Sequence, residues 1–375
     1  MKATTLARFD STFRNVITSN FPPQLTVPIY SLGRRYFLSQ LKEDIPKKSI
    51  TIPDDLVRTL WGITFRSPIF NAAGIFKEGD CYEMAAKQGA GAYLGGTGTW
   101  NSRPGNTKKG VYLPFVPYPK SGSSSNFMGL PNRGDAVTSV RVSQMEKILK
   151  TPIGWSVMAS SDLKGEAQYR GLVNGMICYE DAGVDFIELN VSCPNVAHGK
   201  SEDLEKQISY VSENYLKRKN IPVIIKISND KTIEELPYLL DLTFKYGFDG
   251  INIGNTSIKY DSIREKIHPD ERKLFDYYTK TFNGGVSGRP LKEKSLELCT
   301  EAVKYIVNAK KSGKLSREFH VIRTGGIESW KDVMDSERAG IPLNQWFTGY
   351  LEGFAKKNGG HNVYKNLYEE RNVKR

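Results

Sequence analysis

The sequence alternates short apolar segments with longer amphipathic ones along most of its 375 residues. From about Ile63 onward, the short segments are rich in Ile, Val and aromatic residues and apolar on both faces, as strands of a buried parallel sheet are. We predict eight strands, at residues 67–73, 92–97, 152–159, 185–191, 222–227, 250–254, 320–324 and 343–348. We predict seven helices between them, at residues 79–88, 133–149, 163–182, 201–219, 233–247, 291–312 and 330–339. This order favours either a (β/α)8 barrel or a doubly wound open sheet.

The positions of glycine and polar residues favour the barrel. An open dinucleotide-binding sheet carries G-x-G-x-x-G after its first strand, whereas the nearest pair here, Gly89 and Gly91, precedes a strand at another spacing. Polar residues and glycines instead follow strands all along the chain: Asn71, Thr97, Asn190, Lys226, Asn255, Gly325 and Thr348. Active-site groups contributed by all the strand ends are typical of a TIM barrel. We therefore predict an α/β fold with a TIM barrel over residues 53–375 and an N-terminal helical extension over residues 1–52.

The extension differs in composition from the rest of the chain. Aromatic and basic residues are interspersed in it, and Pro22-Pro23 predicts a break between two short helices. Such a segment either caps the barrel floor or lies in a membrane interface. The chain contains no run of eighteen apolar residues and no apolar signal core at its start, so we expect a cytoplasmic protein, with peripheral attachment to the inner face of a membrane as the alternative.

The net charge of +12 and the four cysteines argue against some classes of function. The lysines and arginines are dispersed, which indicates a solvated surface and not a nucleic-acid interface. The cysteines do not form C-x-x-C pairs and lack a nearby histidine at ligand spacing, so we expect no metal site. Scattered thiols also fit a reducing compartment.

The segment around Cys193 is the strongest candidate for chemistry. It lies where a predicted strand ends, and the carboxamides of Asn190 and Asn195 flank it. Carboxamides donate and accept hydrogen bonds, so this pair suits a ring with alternating NH and C=O groups. A thiol with a free pKa of about 8.5 needs only modest activation to act as a base. We interpret Cys193 as that base, and Cys81, Cys178 and Cys299, all in predicted helices, as inert.

Three further features have both a functional and an ordinary interpretation. Residues 324–327 and 346–349 follow strands seven and eight, where barrels often bind phosphate, although ordinary glycine turns are the alternative. Lys226 lies in an apolar strand, where it either faces an anionic partner or extends outward to solvent. Asn126 follows a Ser-rich stretch that is also typical of a loop tip.

These motifs together resemble the dihydroorotate dehydrogenase family over about residues 61–353. The matching segments are Asn-Val-Ser-Cys-Pro-Asn at 190–195, Asn-Ala-Ala-Gly-Ile-Phe-Lys at 71–77, Asn-Phe-Met-Gly-Leu-Pro-Asn at 126–132, Asn255-Thr256, residues 284–291, Thr-Gly-Gly-Ile at 324–327 and Trp-Phe-Thr-Gly at 346–349. The resemblance implies an FMN-dependent oxidoreductase that converts dihydroorotate to orotate in de novo pyrimidine (UMP) biosynthesis.

The resemblance also implies a role for each matching residue. Cys193 would be the catalytic base. Substrate contacts would be Lys77, Asn126, Met128, Gly129, Leu130, Asn190, Asn195, Asn255 and Thr256. FMN contacts would be Ala72, Ala73, Gly74, Thr97, Asn190, Lys226, Gly254, Ser287, Gly288, Gly325, Gly326, Phe347 and Thr348.

Two branches of this family are mixed in the chain. Cys193 and Met128 resemble the soluble branch, whereas Lys77, Gly96 and the basic aromatic extension resemble the membrane-associated quinone branch. The electron acceptor is therefore open between a quinone and fumarate, and the formation of a homodimer is open as well.

His198 follows Cys193 closely enough to tune it, although an ordinary loop histidine is the simpler interpretation. The rival functions are another FMN-dependent pyrimidine oxidoreductase and a tRNA-binding flavin barrel.

Overall fold

The computed structural model describes residues 1–192 and 201–372. Its strands are β1 (Arg58–Leu60), β2 (Ile63–Phe65), β3 (Ile69–Asn71), β4 (Tyr93–Gly98), β5 (Thr107–Lys108), β6 (Val111–Tyr112), β7 (Phe115–Tyr118), β8 (Ser123–Asn126), β9 (Ile153–Val157), β10 (Phe186–Asn190), β11 (Val223–Ile227), β12 (Gly250–Ile253), β13 (Gly285–Gly288), β14 (His320–Thr324) and β15 (Leu343–Trp346). Its helices are α1 (Ala3–Asn20), α2 (Pro23–Leu41), α3 (Tyr82–Lys87), α4 (Asp135–Ser143), α5 (Glu166–Asp181), α6 (Ser201–Val211), α7 (Leu236–Tyr246), α8 (Tyr260–Arg264), α9 (Arg272–Phe282), α10 (Lys292–Lys311), α11 (Trp330–Arg338), α12 (Thr348–Ala355) and α13 (Val363–Glu369).

Eight of the strands form one parallel sheet in the order β3-β15-β14-β12-β11-β10-β9-β4. The side chain of Asn71 joins the two outer strands: its Nδ2 donates to the carbonyl of Leu94 at 2.7 Å, and its Oδ1 accepts from the Leu94 amide at 3.3 Å. Gly74 N also donates to Gly96 O at 2.8 Å. The sheet is thus closed into a barrel, and the prediction of a TIM barrel with these eight strands is confirmed.

All seven predicted helices are present, but the one expected at residues 133–149 is much shorter. Helix α4 ends at Ser143, with Gln144 as its C-cap. Leu149 and Lys150 take positive φ angles of 53° and 54°, which no helix accommodates. The partly buried Met145 and Ile148 pack on the barrel core without helical geometry, so the apolar residues of this segment continue beyond the end of the helix.

Two insertions build a layer above the carboxyl ends of the barrel strands. The first carries β5 to β8, and the second carries α8, α9 and β13. Strands β7, β8 and β13 form an antiparallel sheet in which Asn126 pairs with both Phe115 and Gly285. Asn126 therefore lies on a strand and not at a loop tip.

The N-terminal extension forms two helices, with Pro22 as the N-cap of the second. Helix α2 packs on β7 and α9, and Ser31 Oγ accepts from the Phe115 amide at 3.0 Å. Helix α1 packs on α12, where Arg14 pairs with Glu352 at 2.5 Å. The alternative in which this segment caps the barrel floor is wrong for α2, because β7 and α9 belong to the layer at the carboxyl end of the barrel. Among the described residues, no helix is both long and apolar enough to cross a membrane.

Candidate active site

A cavity with a volume of about 960 Å³, including its open mouth, lies at the carboxyl ends of the barrel strands. Its walls come from strand ends around the barrel, from β8 and β13 in the upper layer, and from α2. The barrel end, the insertions and the extension therefore enclose one site.

The cavity brings together nearly all of the residues singled out in the sequence. The predicted residues that line it are Ala72, Ala73, Gly74, Lys77, Thr97, Asn126, Met128, Leu130, Asn190, Lys226, Gly254, Asn255, Thr256, Ser287, Gly288, Gly325, Gly326, Phe347 and Thr348. Gly129 does not line it; a Cβ there would lie 2.1 Å from Asn106 Oδ1, so this glycine permits the turn that carries its two neighbours to the wall. Cys193, Asn195 and His198 lie outside the described residues.

Two lining residues lie outside the motifs identified in the sequence: Arg34 and Gln345. Gln345 is fully buried in β15, whose sequence is Leu-Asn-Gln-Trp, and two consecutive polar residues in a buried strand are a signal that could have identified it. Arg34 reaches the cavity from α2, and only the packing of that helix on the upper layer brings it there. No local sequence pattern predicts such a contact.

Lys226 belongs to a buried network at the bottom of the cavity. Its Nζ lies 3.1 Å from Glu188 Oε1, and the two side chains are 5% and 1% exposed. Glu188 Oε2 accepts from Asn252 Nδ2 at 2.7 Å and from Gln345 Nε2 at 2.9 Å. Since buried charges are stable only when they are paired and hydrogen-bonded, this network fixes the position of the ammonium group. The alternative of an outward-pointing lysine is excluded.

Two carboxamides at the cavity wall hold each other in place. Asn255 Nδ2 donates to Asn190 Oδ1 at 3.1 Å and to Ser192 Oγ at 3.2 Å. The Ser192 amide donates to Asn190 Oδ1 at 3.2 Å, and the Thr256 amide donates to Asn255 Oδ1 at 3.0 Å. These bonds fix the position of Ser192, which directly precedes Cys193 in the chain.

A cluster of hydroxyl groups lies at another part of the cavity wall, next to the N-terminus of α12. Ser287 Oγ lies 2.9 Å from Thr348 Oγ1 and 3.0 Å from Ser124 Oγ. Gly325 and Gly326 line the same side with φ angles of 134° and 74°. Hydroxyl groups, a glycine loop and a helix N-terminus together suit a phosphate group.

Arg34 adds a second cation to the cavity wall. Its Nη1 donates to Met128 Sδ at 3.8 Å, and its guanidinium lies 5.5 Å from the centre of the Phe115 ring. Its Nε is buried without a hydrogen-bond partner in the described structure. Burial lowers the pKa of Arg34 to about 10, so the group remains charged at neutral pH.

A buried carboxyl group lies behind β4, outside the cavity lining. Asp135 Oδ1 accepts from Tyr179 Oη at 3.0 Å, while Oδ2 has no partner among the described residues. Gly98 and Gly175 make room for it, because a Cβ on either would lie within 2.3 Å of its carboxylate oxygens. Burial raises the pKa of Asp135 to about 7.

Comparison with known proteins identifies the family. A sequence model of the dihydroorotate dehydrogenase family matches residues 55–367. The chain is 29% identical over 304 residues to a "dihydroorotate dehydrogenase (quinone)" of a Cyanothece species, covering 79% of this chain and 76% of the relative. It is 28% identical over 306 residues to the protein of that description from Klebsiella pneumoniae, covering 78% and 82%.

A solved structure shares the fold. The crystal structure of DHODH from Eimeria tenella in complex with ferulenol superimposes with a TM-score of 0.72 at 21% identity, covering 91% of this chain and 90% of that one. The resemblance inferred from the sequence motifs is confirmed by the family match. The chain belongs to the dihydroorotate dehydrogenase family of oxidoreductases.

Proposed function

We propose that the protein is an FMN-dependent dihydroorotate dehydrogenase that produces orotate for pyrimidine biosynthesis. The observation that carries the proposal is the convergence of three features on one cavity. These are a buried lysine, a set of carboxamides beside Lys77, and a phosphate-type cradle of hydroxyls and glycines. A flavin, a carboxylated pyrimidine and a flavin phosphate are the groups that these features would accommodate.

The residues around the cavity fit FMN. Ala72, Ala73 and Gly74 leave one wall without bulky side chains, and Lys226 supplies a buried positive charge. Ser287 and Thr348 with the Gly325 loop would hold the phosphate. When bound, FMN supplies the two-electron oxidant for the hydrogen at C6 of dihydroorotate. Lys226 would stabilise negative charge on the reduced ring, and Glu188 holds the lysine in place for that role.

The carboxamides and Lys77 would orient the substrate. Asn126, Asn190 and Asn255 line the cavity and offer donors and acceptors to the ring amides, with Thr256 and Asn195 completing the set. The ammonium group of Lys77 would pair with the substrate carboxylate. Because Asn190 and Asn255 are already bonded to each other, little side-chain entropy is lost when the ring binds.

Cys193 would act as the base that removes the C5 proton. It directly follows Ser192, whose amide and hydroxyl are held by Asn190 and Asn255. In the complete reaction, the C5 proton passes to the Cys193 thiolate, the C6 hydrogen leaves with two electrons, and a C5–C6 double bond forms. The proton on sulfur is then released to solvent.

A quinone is the electron acceptor that we propose, at the surface of a membrane. The two curated relatives described above are named for quinone. Helices α1 and α2 also expose large apolar side chains, namely Phe9, Phe13, Val16, Leu25, Ile29 and Leu32, which would suit an interfacial contact. Fumarate is the alternative acceptor, and Cys193 favours it because this residue resembles the soluble branch of the family.

The substrate class is tested by comparing dihydroorotate with dihydrouracil, which lacks the carboxylate. Purified protein should carry FMN, and its visible absorbance should bleach under anaerobic conditions with dihydroorotate only. Bleaching by both compounds at equal rates would refute the role of Lys77 and support the rival pyrimidine oxidoreductase. Tight retention on tRNA at high salt, without bleaching, would support the tRNA-binding flavin barrel.

A further inference from the structure

A second concave surface lies next to the candidate active site, between α2 and the loops that follow β3 and β4. This basic groove has a volume of about 1080 Å³ including its open mouth. It shares two lining residues, Arg34 and Lys77, with the cavity. The two spaces therefore meet at a pair of cationic side chains, one of which is the proposed ligand of the substrate carboxylate.

The groove carries a surplus of positive charge. Among the described residues that line it, six are basic and two are acidic, which leaves four positive charges: Arg34, Arg35, Lys42, Lys77, Arg103 and Arg133 against Glu78 and Asp80. The two carboxylates are already paired. Asp80 lies 2.7 Å from both Lys42 and Arg141, and Glu78 lies 3.8 Å from Arg133.

Three arginines in the groove contact neutral groups and no carboxylate of the described chain. Arg35 lies 5.0 Å from the centre of the Tyr112 ring. Arg103 donates to Gly129 O at 3.0 Å and to Ser161 Oγ at 2.5 Å. Arg34 contacts Met128 and Phe115 and has a buried Nε without a partner in the described structure. Guanidinium groups in this state bind carboxylates strongly, because each presents a planar set of donors to both oxygens.

We propose that the basic groove binds small organic carboxylates and conducts them between solvent and the cavity. The inference rests on the proposed function, whose substrate and product, dihydroorotate and orotate, are such anions. The alternative acceptor, fumarate, is a second source of the same chemistry. A charged groove with low-dielectric walls raises the local concentration of an anion and its association rate by roughly 10- to 1000-fold. The positive charge of the groove would not raise the association rate of an uncharged quinone.

Arg35 is the residue to change, because it is exposed, lies in the groove, and does not line the cavity. Arg35→Glu reverses the charge, and Arg35→Lys retains it. Lys311→Glu is the matched control: Lys311 is exposed at the end of α10, which leads back to the amino end of β14 and so lies at the opposite end of the barrel. FMN-loaded enzyme would be reduced by dihydroorotate and reoxidised by fumarate or a short-chain quinone, each half-reaction being followed separately by stopped flow.

At roughly 20 mM salt, Arg35→Glu should lower the second-order rate constant for an anionic reactant about fivefold or more, and roughly 500 mM salt should remove most of the difference. Lys311→Glu should stay within about twofold of the unmodified enzyme, and the limiting rate at saturation should not change. Arg35→Lys should lose less than Arg35→Glu, because it keeps the charge but not the planar set of donors. Calorimetry should show that Arg35→Glu weakens orotate binding, or fumarate binding, by a similar factor. Loss confined to reduction identifies dihydroorotate as the conducted anion, and loss confined to reoxidation by fumarate identifies the dicarboxylate.

The proposal is overturned if Arg35→Glu matches Lys311→Glu in both half-reactions and in calorimetry while dihydroorotate reduces the unmodified enzyme; the proposed function would then stand alone. An equal loss with fumarate and with the uncharged quinone would also overturn it, because the effect would not depend on anionic charge. If dihydroorotate fails to reduce the unmodified enzyme and orotate does not bind, the proposed function itself fails, and this inference fails with it.

Discussion

The ion pair between Lys226 and Glu188 stabilises the fold, and its lysine would also stabilise negative charge on the reduced flavin. Two substitutions can separate these roles. Lys226→Met removes the ammonium group and leaves the Glu188 carboxylate buried, at 1% exposure, with Asn252 and Gln345 as its remaining donors among the described residues. Removal of one partner of a buried ion pair costs about 3–5 kcal/mol of stability. Adding Glu188→Gln removes the orphaned charge but keeps an oxygen for Asn252 and Gln345. The double variant should therefore recover most of the loss in the free energy of unfolding.

The rate of flavin reduction, unlike the free energy of unfolding, should not recover in the double variant. If Lys226 stabilises charge on the reduced ring, both the single and the double variant should be reduced about 100- to 1000-fold more slowly than the unmodified enzyme. Urea unfolding measured by circular dichroism gives the stabilities, and anaerobic stopped-flow gives the rates. A double variant as unstable as the single one would refute the coupling between the two side chains. Rapid reduction of the double variant would refute the electrostatic role of Lys226.

Three other predictions follow from the site and its surroundings. Cys193→Ala should slow reduction of the flavin by dihydroorotate about 100- to 10,000-fold while FMN stays bound, as judged by absorbance. Asn255→Ala removes donors to Asn190 and Ser192 and should weaken orotate binding by about 1–3 kcal/mol in calorimetry. Because burial raises the Asp135 pKa from 3.8 to about 7, ionisation destabilises the folded state. Unfolding titrations should therefore show the unmodified protein losing up to about 4 kcal/mol relative to Asp135→Asn as pH rises from about 4 to about 8.

Each of these predictions has a result that contradicts it. An unimpaired rate of reduction in Cys193→Ala would exclude the thiol as the base. Unchanged affinity for orotate in Asn255→Ala would place the ring elsewhere in the cavity. A difference between Asp135→Asn and the unmodified protein that is constant with pH would mean that Asp135 does not titrate in this range; the test would be best made in flavin-loaded protein to keep the barrel intact.

The sequence predicted the parts of the site that local patterns encode. Lys226 stood out because it interrupts an apolar strand, and Asn190 and Asn255 because they follow strands whose carboxyl ends meet in a barrel. Glu188 lies on the same strand as Asn190, but its partnership with Lys226 depends on the register of β10 against β11. That register is a property of the folded sheet.

The parts that sequence reasoning missed depend on contacts between distant segments. Asn126 was assigned to a loop as one interpretation because Ser123–Asn126 has little intrinsic preference for a strand, whereas pairing with β7 and β13 makes it one. Arg34 reaches the cavity only because α2 packs on β7 and α9. Asp135 is buried because Gly98 and Gly175 leave space for it, and no periodic pattern in the sequence predicts this packing.

We propose that FMN bound in the cavity accepts two electrons from dihydroorotate. The most direct test is an anaerobic single turnover, in which flavin bleaching and orotate formation are measured in the same sample. The proposed function predicts complete bleaching and one orotate formed for each flavin reduced. A flavin that dithionite reduces but that dihydroorotate leaves oxidised, without formation of orotate, would contradict the claim.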